Sequence, residues 1–470
     1  MTLTASNALL SFGGILLLAS LRAEAALSVT LNGTPCSVDN IVTRDVCIIG
    51  GGSTGTYSAI RLSDLGKTVM VVEEKNRLGG HTETYHDPVT GTPHDYSVVV
   101  WHDLDIVRNY FARLNVSLVK SSAGGSGAKQ YFDFQTGKPL PNYSPGDPTP
   151  GLAAYAAQLA KYPYVEEGFD LHYPVPSDLL LPFGQFVKKH NLQSMGSLIF
   201  GFAQGLGDVF AQPTLYVMKN FGSDILKNIK TGFLTTAEHD NSLLYEHATA
   251  DLGPNVLLNS QILAVDRSDR EEAKVLVKTP SGVTLVKSRK LVFTIPPKLE
   301  NLRGWDLSAL ERSLFRQFSN SGYYTAILRN SGLPSNLSLV NVSPHTEYNH
   351  AALPGLYGIT PTGIENLLDV KYGSVNGLPD DQVKKDILST AARLQVPGRT
   401  TGNPELAVYS RHTPFELTVP PKAIAGGFYK RLYGLQGQRH TYYTGAAFHT
   451  HDSSLLWQFT EALLPNITAV

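Results

Sequence analysis

The chain has 470 residues, 17% of them charged and 42% apolar, with a formal net charge of −1. That length is enough for two domains, each with its own core. No long basic run is present, so nothing in the composition points to nucleic acid or an anionic lipid surface as partner.

The first residues read as a targeting segment. Residues 8–21 are mostly apolar but too short to span a bilayer comfortably. Ala23, Glu24 and Ala25 then offer a cleavage site, so residues 1–25 are expected to be a signal peptide. No Lys or Arg precedes the apolar run, which leaves an uncleaved anchor as the alternative. Sequons at Asn32, Asn115, Asn142, Asn336, Asn341 and Asn466 fit a secretory route with N-glycosylation at some of them. No stable membrane association is expected after cleavage. The two cysteines, Cys36 and Cys47, either pair in an oxidising compartment or stay apart, with Cys47 a small buried hydrophobe in a strand.

Residues 45–80 organise the rest. Val46 to Ile49 is a run of apolar residues, the pattern of a buried parallel strand, and Gly50, Gly52 and Gly55 follow at G-x-G-x-x-G spacing. Gly50 permits the tight turn. Gly52 lets backbone approach a pyrophosphate, and Gly55 lets the next helix, over about 54–64, pack close to the strand. The first-turn N–H groups of that helix would face phosphates. Gly66 suits a helix end, 69–72 a second strand, and Glu73 ends that strand where a carboxylate can accept from ribose hydroxyls and repel a 2′-phosphate.

Arg77, Leu78, Gly79 and Gly80 follow at short spacing. With the preceding motif, they resemble the start of the flavin-containing amine oxidoreductases, the superfamily of monoamine oxidase, polyamine oxidase and L-amino-acid oxidase. The resemblance implies an α/β fold: a Rossmann-like FAD-binding domain of glutathione-reductase/amine-oxidase type, with a discontinuous α+β substrate domain. It also implies FAD, contacted by Gly50, Gly52, Ser53, Thr54, Gly55, Glu73, Glu74, Arg77, Gly79, Gly80 and His81. A nicotinamide dehydrogenase would show the first motif without the second.

Further along, Ser97 stands where the family has glycine. Residues 102–235 read as a mostly helical insertion, with helices over about 104–115, 152–162, 183–192 and 214–228 and a small-residue loop at 121–127. The glycines of 193–212 suit either close helix packing or a pocket wall. Residues 236–304 return to the nucleotide domain, with short strands at 255–259, 262–266, 274–279 and 283–286 and a closing strand over 290–297. This block resembles the family's middle FAD segment, which implies an adenine contact from the backbone near Ala264 and Val265. The family's active-site lysine has no counterpart: Lys298 comes too early and Leu302 and Arg303 occupy the later position, so Lys298 reads as a surface residue.

Residues 305–430 are expected to complete the substrate domain, with strands over 321–328, 367–372 and 406–410 and a helix over 380–394. Tyr323, Tyr324, Tyr357, Tyr409 and Phe415 suit a pocket or a core. The last block, 431–466, resembles the family's C-terminal FAD motif, with contacts implied at Gly445 and at Ala446, where the family has an acidic residue; Asp452 suits a helix cap. The stretches around His412, Gly427, Gly437, Gly445 and Trp457 resemble the secreted fungal branch around β-cyclopiazonate dehydrogenase. The resemblance also implies a possible covalent flavin: the cysteine that monoamine oxidase uses has no counterpart beyond Cys47, and His412, in the corresponding region, is the candidate for the histidyl link associated with that fungal branch, with His81, His449 and His451 weaker. His449 and His451 lack the further ligands a metal needs, so no metal is expected.

The resulting expectation is an FAD-dependent oxidoreductase. It would take a hydride from a small organic substrate, by dehydrogenation or oxidative cyclisation in secondary metabolism, with O2 as the electron acceptor. An amine or amino-acid oxidase is one alternative, and a non-catalytic flavin-binding protein is another. No catalytic residue stands out in the sequence.

Overall fold

The computed structural model describes residues 27–121 and 128–469. The expected signal peptide and most of the loop at 121–127 lie outside the described residues.

A seven-stranded sheet carries the nucleotide motif. Strands Val256–Leu257, Val69–Val72, Asn40–Ile49 and Gly282–Phe293 lie side by side and parallel. The first half of Gly282–Phe293 also pairs antiparallel with Ala273–Thr279, and its last residues pair in parallel with Thr441–Tyr443. The short strand expected at 283–286 and the closing one are thus one continuous strand.

Alternation puts Val46 and Ile48 on one face and Cys47 and Ile49 on the other. The first face packs on helices Ser53–Asp64, Leu243–Leu252 and Ser453–Thr468 through Tyr57, Ile60 and Trp457. The second meets the helical insertion and the helices Ala309–Phe315 and Phe428–Tyr433. Covering both faces is what a parallel sheet requires. Cys47 is buried in this sheet, which pushes its thiol up to about 12, and Cys36 is half-buried in the hairpin Leu27–Leu31/Thr34–Val38; both are free. That hairpin is held by Asn32, whose N–H donates to Asp266 and whose amide donates to the Val265 carbonyl.

The second sheet has eight strands. Its order runs Glu405–Arg411, Ser319–Arg329, Leu367–Ser374, Gly355–Pro361, Leu337–Asn341, Ala128–Asp133 and Lys138–Pro139, with Phe415–Thr418 on the end of Ser319–Arg329. The insertion is therefore less purely helical than its pattern suggested, because it lends two strands to the substrate sheet. The helix expected over 214–228 is two helices, Thr214–Asn220 and Ser223–Thr231, broken at Phe221 and Gly222. Helix Asp380–Arg393 covers the sheet's far face, with Val383 and Ile387 in its core. Among the described residues no helix is long and apolar enough to cross a membrane.

Asn341 departs from its expected role as a glycosylation site. It is buried, its side-chain oxygen accepts from Phe134 N–H at 3.2 Å and its amide donates to the Leu356 carbonyl at 2.6 Å. Asn32, Asn115, Asn142, Asn336 and Asn466 are exposed.

Candidate active site

A cleft of about 2200 Å³ runs between the two sheets. Its nucleotide end is built of glycine. Gly50 adopts φ +95°, and a Cβ on Gly55 would lie 1.9 Å from the Gly50 carbonyl oxygen, so only glycine lets helix Ser53–Asp64 sit this close. The second glycine pair meets the first backbone to backbone: Gly79 N–H donates to the Gly51 carbonyl at 2.8 Å, and a Cβ on Gly80 would lie 2.9 Å from Gly52 Cα. Ser53 and Ser453, the first residues of their helices, share a hydrogen bond of 2.8 Å. Two positive helix ends thus converge on the cleft, the donor set an anionic pyrophosphate takes.

Gly50, Gly52, Ser53, Thr54, Glu73, Glu74, Gly79, Gly80, His81 and Ala446 all border the cleft. Gly55 and Gly445 do not, and act by letting segments pack: a Cβ on Gly445, at φ +97°, would lie 2.8 Å from the Thr294 carbonyl oxygen. Glu73 is buried, which raises its carboxyl pKa, and it accepts from Gly51 N–H at 2.6 Å and Lys75 N–H at 2.8 Å. It therefore ties the first glycine turn to the second strand as well as facing the cleft.

Two further expected contacts need correction. Arg77 does not border the cleft; its guanidinium donates to the carbonyls of Leu78, Thr82 and Gly80 and pairs with Glu83 at 2.7 Å. It braces the glycine turn from behind, because that turn leaves several carbonyls unpaired by secondary structure. Val265 is buried away from the cleft, its N–H given to the Gly304 carbonyl and its own carbonyl taken by Asn32 and Asp306. A register shift between Ile262 and Ala264 offsets the strand, and Gln261 and Ile262 border the cleft instead.

The substrate end mixes rings with polar groups. Tyr323 stacks on Phe415 at 4.9 Å and neighbours Tyr357 at 6.1 Å, and all three line the cleft. Tyr324 and Tyr409 belong to the far core. Gly201 and Gly205 reach the cleft wall and Gly196 and Gly207 do not, so the glycine-rich helix serves packing and pocket together.

His412 is buried on the cleft wall. Its Nε2 meets Thr325 Oγ1 at 3.0 Å and Ser97 Oγ at 3.3 Å, while its Nδ1 has no hydrogen-bond partner. Burial, followed by the nearby His81, holds its pKa well below the ordinary histidine range, so the ring is neutral. His81 lies 4.6 Å from the His412 ring and stacks on His451 at 5.8 Å; burial pulls its pKa down to about 3. Lys298 gives its ammonium to the Phe318 carbonyl at 3.0 Å, outside the cleft.

The sequence reading missed several cleft residues. His102 lies between Asp452, 3.0 Å from its Nε2, and the Asn228 side-chain oxygen, 2.7 Å from its Nδ1. Burial opposes its charge, but Asp452, Asn228 and Asp224 together outweigh burial and raise it to about 9. Asp452 also caps helix Ser453–Thr468, accepting from Leu455 N–H at 3.0 Å. Across the cleft, Asp369 joins His94 at 3.2 Å to Lys371 at 3.3 Å. Lys219, from the insertion, and Glu416, from strand Phe415–Thr418, are buried on the cleft wall. The signal for Lys219 was present, a single cation within an apolar helical run. Glu416 carried none, because its burial comes from strands and helices distant in sequence.

The fold and the paired glycine turns define a flavin-dependent oxidoreductase built on a Rossmann-like domain, and the model of the NAD(P)-binding Rossmann-like domain matches residues 48–114. The chain is 38% identical over 98% of its length to the FAD-dependent oxidoreductase oblC of Cochliobolus heterostrophus, covering 99% of that protein. It is 34% identical over 91% of its length to beta-cyclopiazonate dehydrogenase of Aspergillus oryzae, covering 94% of it. The fold also matches a CLA-producing fatty acid isomerase from P. acnes, with TM-score 0.71, 18% identity, 91% of this chain and 99% of that one. The chain belongs to the family of FAD-dependent oxidoreductases that includes beta-cyclopiazonate dehydrogenase. It is an enzyme that uses FAD to oxidise a small substrate.

Proposed function

We propose that the enzyme dehydrogenates or oxidatively cyclises a small organic metabolite of a secondary pathway, passing the electrons to O2, in the secretory lumen or outside the cell. The observation that carries the chemical part is the cleft itself: it joins the two glycine turns to the Tyr323, Tyr357 and Phe415 ring cluster with no lysine at the amine-oxidase position. The relatives named above as FAD-dependent oxidoreductases and beta-cyclopiazonate dehydrogenase support the substrate class.

FAD fits this cleft by its glycine cradle and its converging helix ends. Gly50, Gly52, Ser53, Thr54, Gly79 and Gly80 would hold its phosphates and flavin end, Glu73 its ribose, and Ile262 its adenine end. Bound there, FAD supplies the two-electron oxidant. The protein's share is to exclude water and orient a flat substrate on the ring cluster, with Lys371 and the ring edges as polar anchors.

His412 is the proposed site of a covalent flavin link. Its neutral ring and unpartnered Nδ1 on the cleft wall support that role. Secretion rests on the apolar N-terminus and the exposed sequons.

The test is the absorbance spectrum of purified protein before and after acid precipitation, followed by anaerobic addition of candidate metabolites. Flavin bands that bleach with a metabolite support the reading. Bands left in the pellet, and lost from it in His412→Ala, establish the link. Protein that neither carries nor takes up FAD overturns the reading.

A further inference from the structure

The insertion and the strand Phe415–Thr418 put an amine and an acid on the same cleft wall, and no FAD motif uses them. Lys219, in the last turn of helix Thr214–Asn220, is 4% exposed. Its ammonium donates to the Val165 carbonyl at 2.8 Å, lies 3.4 Å from His449 Nε2 and sits over the Phe169 ring. Glu416, on strand Phe415–Thr418, is 7% exposed. Its φ of +40° is rare for any residue but glycine, and His451 Nε2 holds its N–H at 3.0 Å. Asn220 and Lys219 both favour its ionised carboxyl.

The surroundings keep the pair balanced. Burial pushes Glu416 up to about 7, and Asn220 and Lys219 only partly offset it. Burial brings Lys219 down to about 7 against the pull of Glu166, Asp452 and Glu416. His449 beside Lys219 and His451 beside Glu416 are both neutral through burial, and the Tyr216 and Tyr429 hydroxyls nearby stay protonated. Each charge partly offsets the burial of the other. The neighbour Phe415 packs on His451 at 3.9 Å and on His81 at 5.6 Å. The acid therefore lies one residue from the ring that closes the cleft against the second glycine turn.

We propose that Glu416, backed by Lys219, takes the proton the substrate gives up on oxidation. The inference rests on the oxidoreductase reading above. When a hydride leaves a carbon to the two-electron oxidant, an adjacent X–H bond (X being O, N or C) breaks. Its electron pair becomes the second bond of the C=X product, and its proton forms an O–H bond on Glu416. Lys219 favours the ionised form of Glu416 beforehand, and the proton later leaves to solvent.

The test needs no known substrate. The midpoint potential of bound FAD and the protons taken up on its reduction are measured against pH in wild type, Glu416→Gln and Lys219→Met. Wild type is expected to take up one further proton per flavin reduced across neutral pH. Glu416→Gln loses that step, and Lys219→Met moves it to higher pH because the carboxyl has lost its cation. A wild type without the step overturns the proposal by itself, whether or not the variants fold. An unchanged step in a flavin-loaded Glu416→Gln also overturns it. Absence of bound flavin is a different outcome and overturns the function reading instead.

Discussion

Gly55→Ala tests whether the closeness of the first helix to the first strand holds the cofactor. The added methyl would lie 1.9 Å from the Gly50 carbonyl oxygen, on the turn under the helix, and 3.0 Å from Thr294 Oγ1, just past the end of the neighbouring strand Gly282–Phe293. To regain ordinary contact the helix end must retreat by roughly 1.5 Å, an overpacking that costs about 1–3 kcal/mol. Alanine returns about 1 kcal/mol of helix propensity, so the net loss is expected near 2 kcal/mol at the upper end of that range. The retreat also carries the N-terminal N–H groups off the phosphate position, and FAD affinity should fall at least about tenfold, which is ~1.4 kcal/mol. Gly201→Ala is the control. It adds the same methyl to a helical glycine with nothing within 4 Å, and should stabilise by up to about 1 kcal/mol. Thermal melts at one scan rate and flavin fluorescence after dialysis read both effects. If Gly55→Ala melts with Gly201→Ala and keeps its flavin, the close-packing argument is wrong.

Further outcomes follow from residues the motifs do not include. Arg267, with a fully buried side chain, pairs with Glu311 and Asp306 at 2.8 Å each, and Tyr443 donates to Glu311 at 2.6 Å. Glu311→Gln should destabilise by about 3–5 kcal/mol in urea unfolding by leaving a buried guanidinium short of charge. Although burial opposes its charge, Arg267 holds the Glu311 carboxyl down at about 2. Its contribution is thus complete above the ordinary glutamate range and is lost as pH falls through about 2, so the gap between wild type and variant should shrink in acid. In a secreted preparation, Asn336→Gln is expected to lower glycan mass, whereas Asn341→Gln should leave mass unchanged and lower the melting temperature. Lys298→Ala should leave the rate of flavin reduction unchanged in stopped flow; a large fall would return that lysine to the chemistry.

The paired glycine turns were legible in the sequence because they depend on local chemistry. Gly50, Gly52, Gly79 and Gly80 are needed where backbone meets backbone, and the apolar runs at 46–49 and 69–72 fix the strands on either side. Asp452 as a helix cap was legible for the same reason. Tertiary structure decided what faces the cleft. A one-position slip reverses a strand's side chains, and the irregular register after Ile262 turned Val265 inward. Arg77, in a motif that names it, went to unpaired carbonyls. The strands 337–341 and 355–361 carry little pattern of their own and exist because neighbours in the sheet pair with them. Lys219 and Glu416 lie far apart in the chain; only the packing of the insertion against strand Phe415–Thr418 buries them together and so gives them a chemistry that neither has alone.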